Sequence, residues 1–460
     1  MTANTDAMDT PVQKAPELPM SICLGFGVGT VGVSILLNSV TIYFPALMAT
    51  VLGQSTAIAG ALLTISKLYD IIADLIIGAR SDATRSRWGR RRPFLLAGAI
   101  FSGLTFPAIF APPALEGTDL MIYFGAVLIL YSTGYSLFNV PYLAMPSEMT
   151  DDYHQRTRLL SFRTLFVSVG QLAAGAGTAA LLLHFGRDRA GFATTGFILT
   201  AVIVVAMLTC FLATAKARMI ERHEGPKPPM RDQIRMVLEN KPILILLSVK
   251  FLHLLSLASV STTGLLFLIN VTKDGYAGQE VLSISSNVAI ALSMPMWSAV
   301  AHRIGKHRAF MIATSMYIVM ALSWLLAAEG VPLWIMGVRG VGLGLSSGGM
   351  LLMGAAMLPD TMDYDRRRTG LRREGLFSSF YAIVEKSAFA IGPAIMGAYL
   401  AGAGYIPTKG GQVITQPDSV ITALYVGVAI VPTIMLGASI FVLMFYDLDE
   451  KRLGDTGKAH

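Results

Sequence analysis

The sequence predicts an all-α polytopic membrane protein, with twelve transmembrane helices in two pseudo-symmetric bundles of six. Three observations predict it. The 460 residues are 53% hydrophobic and only 14% charged, whereas soluble domains carry about a quarter charged residues. Apolar runs of about 20 residues recur along the chain, the length that crosses a hydrocarbon core. Polarity does not alternate within them, so helices rather than barrel strands satisfy the backbone in lipid.

The spans follow in order. The first, 20–48, contains GFGVGTVG, whose small residues let helices approach closely. It is not a phosphate loop, because no strand precedes it and no Gly-Lys-Ser/Thr follows. The second, 57–79, runs into the basic loop RSRWGRRR. Spans 93–113 and 121–145 come next, the latter holding Pro141, and 158–184 and 193–216 complete the first six. The polar segment 217–241 contains EGPKPPM, a proline-rich linker signal. The second six fall at 243–271, 281–301, 309–328, 332–358, 376–402 and 420–446. Pro295 and Pro393 lie within them, where a missing N–H bends a helix. The organisation is a tail 1–17, a bundle 18–216, a linker 217–241, a bundle 242–446 and a tail 447–460.

Net charge is +7, but the bases sit in short loops, which points to membrane topology rather than nucleic acid. Of the 36 Lys and Arg, Arg187, Arg189, Lys273 and Lys409 lie in one set of loops. Lys67, Arg163, Lys250, Arg339 and Lys386 lie inside spans, and the rest occupy the opposite loops and the span ends beside them, the linker and the tails. The positive-inside rule puts that side, with both termini, in the cytoplasm of a cell whose plasma membrane the chain crosses. Residues 1–17 lack a basic stretch followed by an apolar core, so no cleaved signal is expected. Cys23 and Cys210 both lie in apolar spans and make no disulfide framework.

Charges inside spans form the functional shortlist: the five bases above with Asp70, Asp74 and Glu385. In SKLYDIIADLIIG, Lys67, Asp70 and Asp74 are spaced to share one helical face. Facing lipid, the three would cost about 8–10 kcal/mol, so the face points into the bundle or a wet cavity. A structural Lys67–Asp70 pair is one reading, but it leaves Asp74 over. Two carboxylates one turn apart repel, and a proton or a hard cation relieves the repulsion.

Lys386 faces a cavity. Glu385 points about 100° away from it and is no partner. Arg163 either reaches for headgroups or serves the cavity. Lys250 and Arg339, near span ends, are expected to snorkel, and His253 to be a packing residue. Asp82, with Arg85 and Arg91, is expected to form a gating latch. No Walker motif, metal cluster or nucleophile elbow appears, so neither ATP-driven pumping nor catalysis is expected, and no cofactor.

The halves echo each other. GARSDATRSRWGRRRPFLLAG after span two matches WSAVAHRIGKHRAFMIA after span eight. MPSEMTDDYHQRTRLLSFR after span four matches MLPDTMDYDRRRTGLRREGLFSSF after span ten. Each pair is six spans apart on one side. That is a parallel repeat, the architecture of major facilitator transporters.

The chain further resembles the glycoside–pentoside–hexuronide:cation symporters through KLYDIIADLIIGARSDATRSRWGRRRPF, NVPYLAMPSEMTDDYHQRTRLLSFR and LPDTMDYDRRRTGLRREGLFSSFYAIVEK. The resemblance implies alternating access and cation-driven uptake by a protein expected to act as a monomer. It matches Asp70 and Asp74 to the pair that binds the coupling cation, H+ or Na+. It matches Lys386 and Arg163 to residues near the substrate. Ala73 stands where the sodium-coupled pattern has asparagine, which removes one oxygen ligand; Ser136 still supplies one. Ser34 and Asn139 stand where a galactoside pocket has aspartates, and Leu143 stands where it has a stacking aromatic. The expected function is symport of a small solute, a sugar or glycoside. The rivals are transport of an amphiphile such as a lysolipid, and a non-transporting receptor on the same scaffold.

Overall fold

A computed structural model describes residues 18–150, 152–217, 229–370 and 373–448; most of both tails and part of the linker lie outside them. The first six helices are α1 (Met20–Val51), α2 (Thr56–Ala83), α3 (Arg92–Phe110), α4 (Gly117–Met149), α5 (Gln155–Phe185) and α6 (Arg189–Lys216). The second six are α7 (Lys241–Thr272), α8 (Gly275–Ile304), α9 (Lys306–Leu326), α10 (Leu333–Thr369), α11 (Glu374–Gly402) and α12 (Asp418–Leu443).

Ten of these helices are long and apolar enough to cross a membrane by length and composition alone. The other two are α2, interrupted by Lys67, Asp70 and Asp74, and α11, interrupted by Glu385 and Lys386. At 28 and 29 residues each reaches about 42 Å, enough to span. These two charged helices pack on each other, and Lys386 of α11 meets Asp74 of α2 between them.

Two features escaped hydropathy. Helix α10 continues to Thr369, well past the predicted end at 358, because a helix need not stop where the apolar layer does; Arg366, Arg367 and Arg368 suit its last turn and Gly370 caps it. The linker, read as a proline-rich connection, forms a helix at Met230–Leu238, started by Pro229.

The repeat is visible in detail. Helices α1 and α7 each have 32 residues, and each ends in a five-residue π-helical turn, Leu47–Val51 and Leu268–Thr272. The loops after α2 and α8 turn at Gly89 and Gly305, with φ of 85° and 89°, values a side chain would strain.

The halves are joined at the end far from the linker. An added Cβ on Gly60 of α2 would collide with the Pro393 carbonyl of α11, so α2 and α11 touch backbone to backbone. Beyond α11, the amides of Thr408, Gly410 and Gly411 donate to the carbonyls of Ala49, Val51 and Thr50 at 2.8, 2.9 and 3.0 Å. Lys409 reaches Glu116 at 2.7 Å, and its bond and charge hold the Glu116 carboxyl below the usual carboxylate range.

One apolar cluster runs through the first half into Leu265, Phe267 and Leu424 of the second. A separate cluster, including Ile243, Phe310 and Met353, belongs to the second half. The shared core therefore sits toward the far end.

Candidate functional site

Helix α2 lies between α4 and α11. Ser66 and Ser132 hydroxyls meet at 2.7 Å and fix α2 against α4. Beside Ser66, Lys67 Nζ donates to Asp70 Oδ2 at 2.9 Å, and its ammonium lies 5.5 Å from the Tyr135 ring centroid. Asp70 is only 1% exposed, and its Oδ1 is buried without a partner among the described residues.

The Asp74 side chain is 25% exposed. Ser136 Oγ of α4 donates to its Oδ1 at 2.6 Å. Lys386 of α11 donates to its Oδ2 and reaches the Asp70 carbonyl at 3.4 Å. Two carboxylates and two ammonium groups therefore meet with their charges balanced.

The donor set is two carboxylates and one hydroxyl. Among the described residues no group of three or more His, Cys, Asp or Glu could hold a metal ion. The orphaned Asp70 oxygen, with Asp74 and Ser136, suits a proton or a monovalent ion. A cation bound there would compete with Lys386 for Asp74.

Lys386–Asp74 also has a place in the architecture. The bonds between halves run from the far-end clasp through Thr56 Oγ1 to Gly397 O at 2.9 Å and Thr64 Oγ1 to Ala390 O at 2.6 Å. Among the described residues the series ends at Lys386–Asp74. Nearer the linker, each half is braced within itself. In the first, Arg90 and Arg91 hold Glu148 at 2.7 and 2.8 Å, and Arg91 also holds Asp82. In the second, Lys306 holds Asp360 at 2.7 Å. The Asp82–Arg91 latch therefore closes inside one half, and Arg85 stands exposed on the same loop.

Other predicted residues are placed differently from Asp70, Asp74, Ser136 and Lys386. Ser34 is buried against α5, where a Cβ on Gly170 would come within 2.6 Å of its own Cβ. Asn139 is buried and donates to Tyr135 Oη at 3.3 Å. Leu143 is half exposed. Arg163 is partly buried, and its Nε lacks a partner among the described residues. Lys250 does not snorkel: its ammonium donates to Glu385 Oε2 at 2.8 Å and stands 3.1 Å above the Tyr381 ring centroid. Glu385 and Lys386 thus diverge as their spacing demands. Arg339 bonds the Ser323 carbonyl at 3.1 Å and lies 4.8 Å from the Trp324 ring centroid.

A cavity of about 400 Å³ lies between the halves, walled by α1, α5 and every helix from α7 to α12. Ser34, Asn139, Leu143, Arg163 and Lys386 are not among its lining residues. Its polar groups include Asn38, Gln171, Gln279 and Asn287, together with His253, whose ring also meets Phe310 edge-on at 6.4 Å. A search for ionisable residues passes over such amides. Their signal was the polar face Gln279, Ser283, Ser286, Asn287 inside an apolar span.

The chain belongs to the family of MFS/sugar transport proteins, whose match covers residues 25–450. It is 25% identical to the putative glycoside/cation symporter YagG of Escherichia coli, over 95% of this chain and 94% of that one. It is 24% identical to the isoprimeverose transporter of Lactiplantibacillus pentosus, over 96% and 92%. Among solved structures, the nucleoside transporter NupG superposes with a TM-score of 0.65 at 14% identity, covering 96% of this chain and 100% of that one. That likeness establishes the major facilitator fold.

Proposed function

We propose that the protein is a secondary active symporter that couples inward movement of H+ or Na+ to uptake of a small solute, a sugar or glycoside, by alternating access. The observation that carries this reading is the ion pair Lys386–Asp74, the bond between halves nearest the linker. In the unloaded carrier the Lys386 ammonium neutralises Asp74. An arriving cation takes its place among Asp70, Asp74 and Ser136, releases α11 from α2, and lets the halves change their tilt.

Lys386 and Asp74 are only 20% and 25% exposed, and separating a largely desolvated pair without replacing the lost charge is unfavourable, so release without a cation is disfavoured. That penalty makes the coupling obligatory. One charge moved through 100 mV supplies about 2.3 kcal/mol, or roughly 50-fold accumulation. Ala73 contributes no oxygen, which weighs toward the proton.

The charge asymmetry of the loops supports placing the linker end in the cytoplasm. The described structure is then open toward the cytoplasm and clasped outside. The names of the curated relatives support a glycoside as solute. The reading needs no catalytic step, and a single chain carries every group it uses.

Vesicles reconstituted with the purified protein, given sodium and pH gradients separately and a panel of glycosides, test the proposal. Asp74→Asn is expected to abolish concentrative uptake while membrane insertion stays intact. Accumulation at the wild-type level by that variant would remove the mechanism.

A further inference from the structure

The cavity between the halves contains no Asp, Glu, Lys or Arg in its lining, although the centre of the molecule is crowded with them. Its amides are arranged in a common way. Asn38 spends an N–H on the Ser34 carbonyl at 2.9 Å, Gln279 on Ser283 Oγ at 3.0 Å, and Asn287 on the Ser283 carbonyl at 2.8 Å. Among the described residues none donates to the three amide oxygens. The cavity therefore offers three free amide oxygens beside the remaining amide N–H groups and uncharged hydroxyls, framed by the rings of Phe389, Tyr317 and Trp324.

Position in the repeat gives a second, independent line. Registering Gly89 on Gly305 sets Lys67, Asp70 and Asp74 opposite Ser283, Ser286 and Ile290. All three of these α8 residues line the cavity. The face that carries ions on α2 is the face that meets the cavity on α8, with its charges replaced by neutral groups.

We infer that α8, with Asn38 of α1, forms the solute subsite, and that it selects an uncharged glycoside and rejects its anionic counterpart. Sugar hydroxyls donate to amide oxygens, and the C–H faces of a pyranose rest on aromatic rings. A carboxylate or sulfonate has no proton to give these acceptors and meets only neutral donors, with no Lys or Arg in the lining; burying its charge without a countercharge is far more costly than burying a hydroxyl. The two ammonium groups one turn from lining residues, Lys250 before His253 and Lys386 before Phe389, are committed to Glu385 and Asp74. The cavity volume falls within the range of small-molecule sites, about 300–1,000 Å³. This inference rests on the symporter reading and adds the class of solute.

The test uses pairs that differ only in the charged group, such as p-nitrophenyl β-glucoside with p-nitrophenyl β-glucuronide and the matching xyloside and galactoside pairs. Binding is measured on the purified full-length protein, with lysophosphatidylcholine as a further arm. The uncharged member of a pair is expected to bind at least about 50-fold more tightly. Asn287→Leu and Gln279→Met, each measured separately, are expected to weaken it by about 30-fold and to leave the cation dependence of binding unchanged, a readout that misfolding would not spare. Equal or better binding of the anionic members, or preference for the lysolipid, overturns the inference and leaves cation coupling standing. Binding of no glycoside by protein that still responds to cation overturns the sugar reading, and this subsite with it.

Discussion

Helices α2 and α8 occupy equivalent places in the two halves, yet they carry opposite chemistry. On α2 the inward face holds Lys67, Asp70 and Asp74. On α8 the corresponding positions hold Ser283, Ser286 and Ile290 at the cavity wall. On the proposed reading the duplicated scaffold divides its work between these two helices, with the ion's carboxylates on α2 and uncharged groups facing the solute on α8. The braces at the linker end diverge in the same direction. The Glu148 side chain is 4% exposed between two arginines, whereas Lys306 and Asp360 are 44% and 24% exposed. This brace is buried in the first half and nearer water in the second, although the second half also buries Asp365, 1% exposed, beside Asn240.

The contrast between the braces yields the largest expected effect. Glu148→Ala removes the buried carboxylate that Arg90 and Arg91 share, leaves Arg91 the largely exposed Asp82 as its remaining acid, and should cost about 3–5 kcal/mol. Little folded protein would survive, as judged by size-exclusion yield and thermal melting. Ser286→Asp, which moves an acid onto α8 without a partner, should destabilise by about 3 kcal/mol on the same melting assay, because α8 has no lysine one turn away. Next comes Ser136→Ala. The loss of one hydroxyl from the ion site should weaken cation affinity by about 5-fold, with solute affinity at saturating cation unchanged. Smallest is Asp360→Asn, which breaks a partly exposed pair worth about 0–1 kcal/mol and should shift melting barely at all. Equal costs for Glu148→Ala and Asp360→Asn would erase the contrast between the halves.

Much of this was legible in the sequence, for identifiable reasons. Ionised side chains in apolar runs are costly, so Asp70, Asp74 and Lys386 stood out and are found together. The loop echoes marked the repeat, and Gly89 and Gly305 turn alike. What stayed hidden depended on partners distant in sequence. The Lys250–Glu385 pair needs α7 beside α11. The uncharged groups of the cavity raise no alarm in a hydropathy profile. Helix α10 overran its prediction because an apolar window ends at the hydrocarbon boundary whereas the helix does not.

The central claim is that a cation takes the place of Lys386 at Asp74. The most direct test is the affinity for the glycoside identified by the uptake panel, measured as a function of H+ and, separately, of Na+. In the wild type the solute Kd is expected to fall as the coupling cation rises, and in Asp74→Asn to be flat across the same range. A Kd in Asp74→Asn that keeps the wild-type cation dependence would contradict the account.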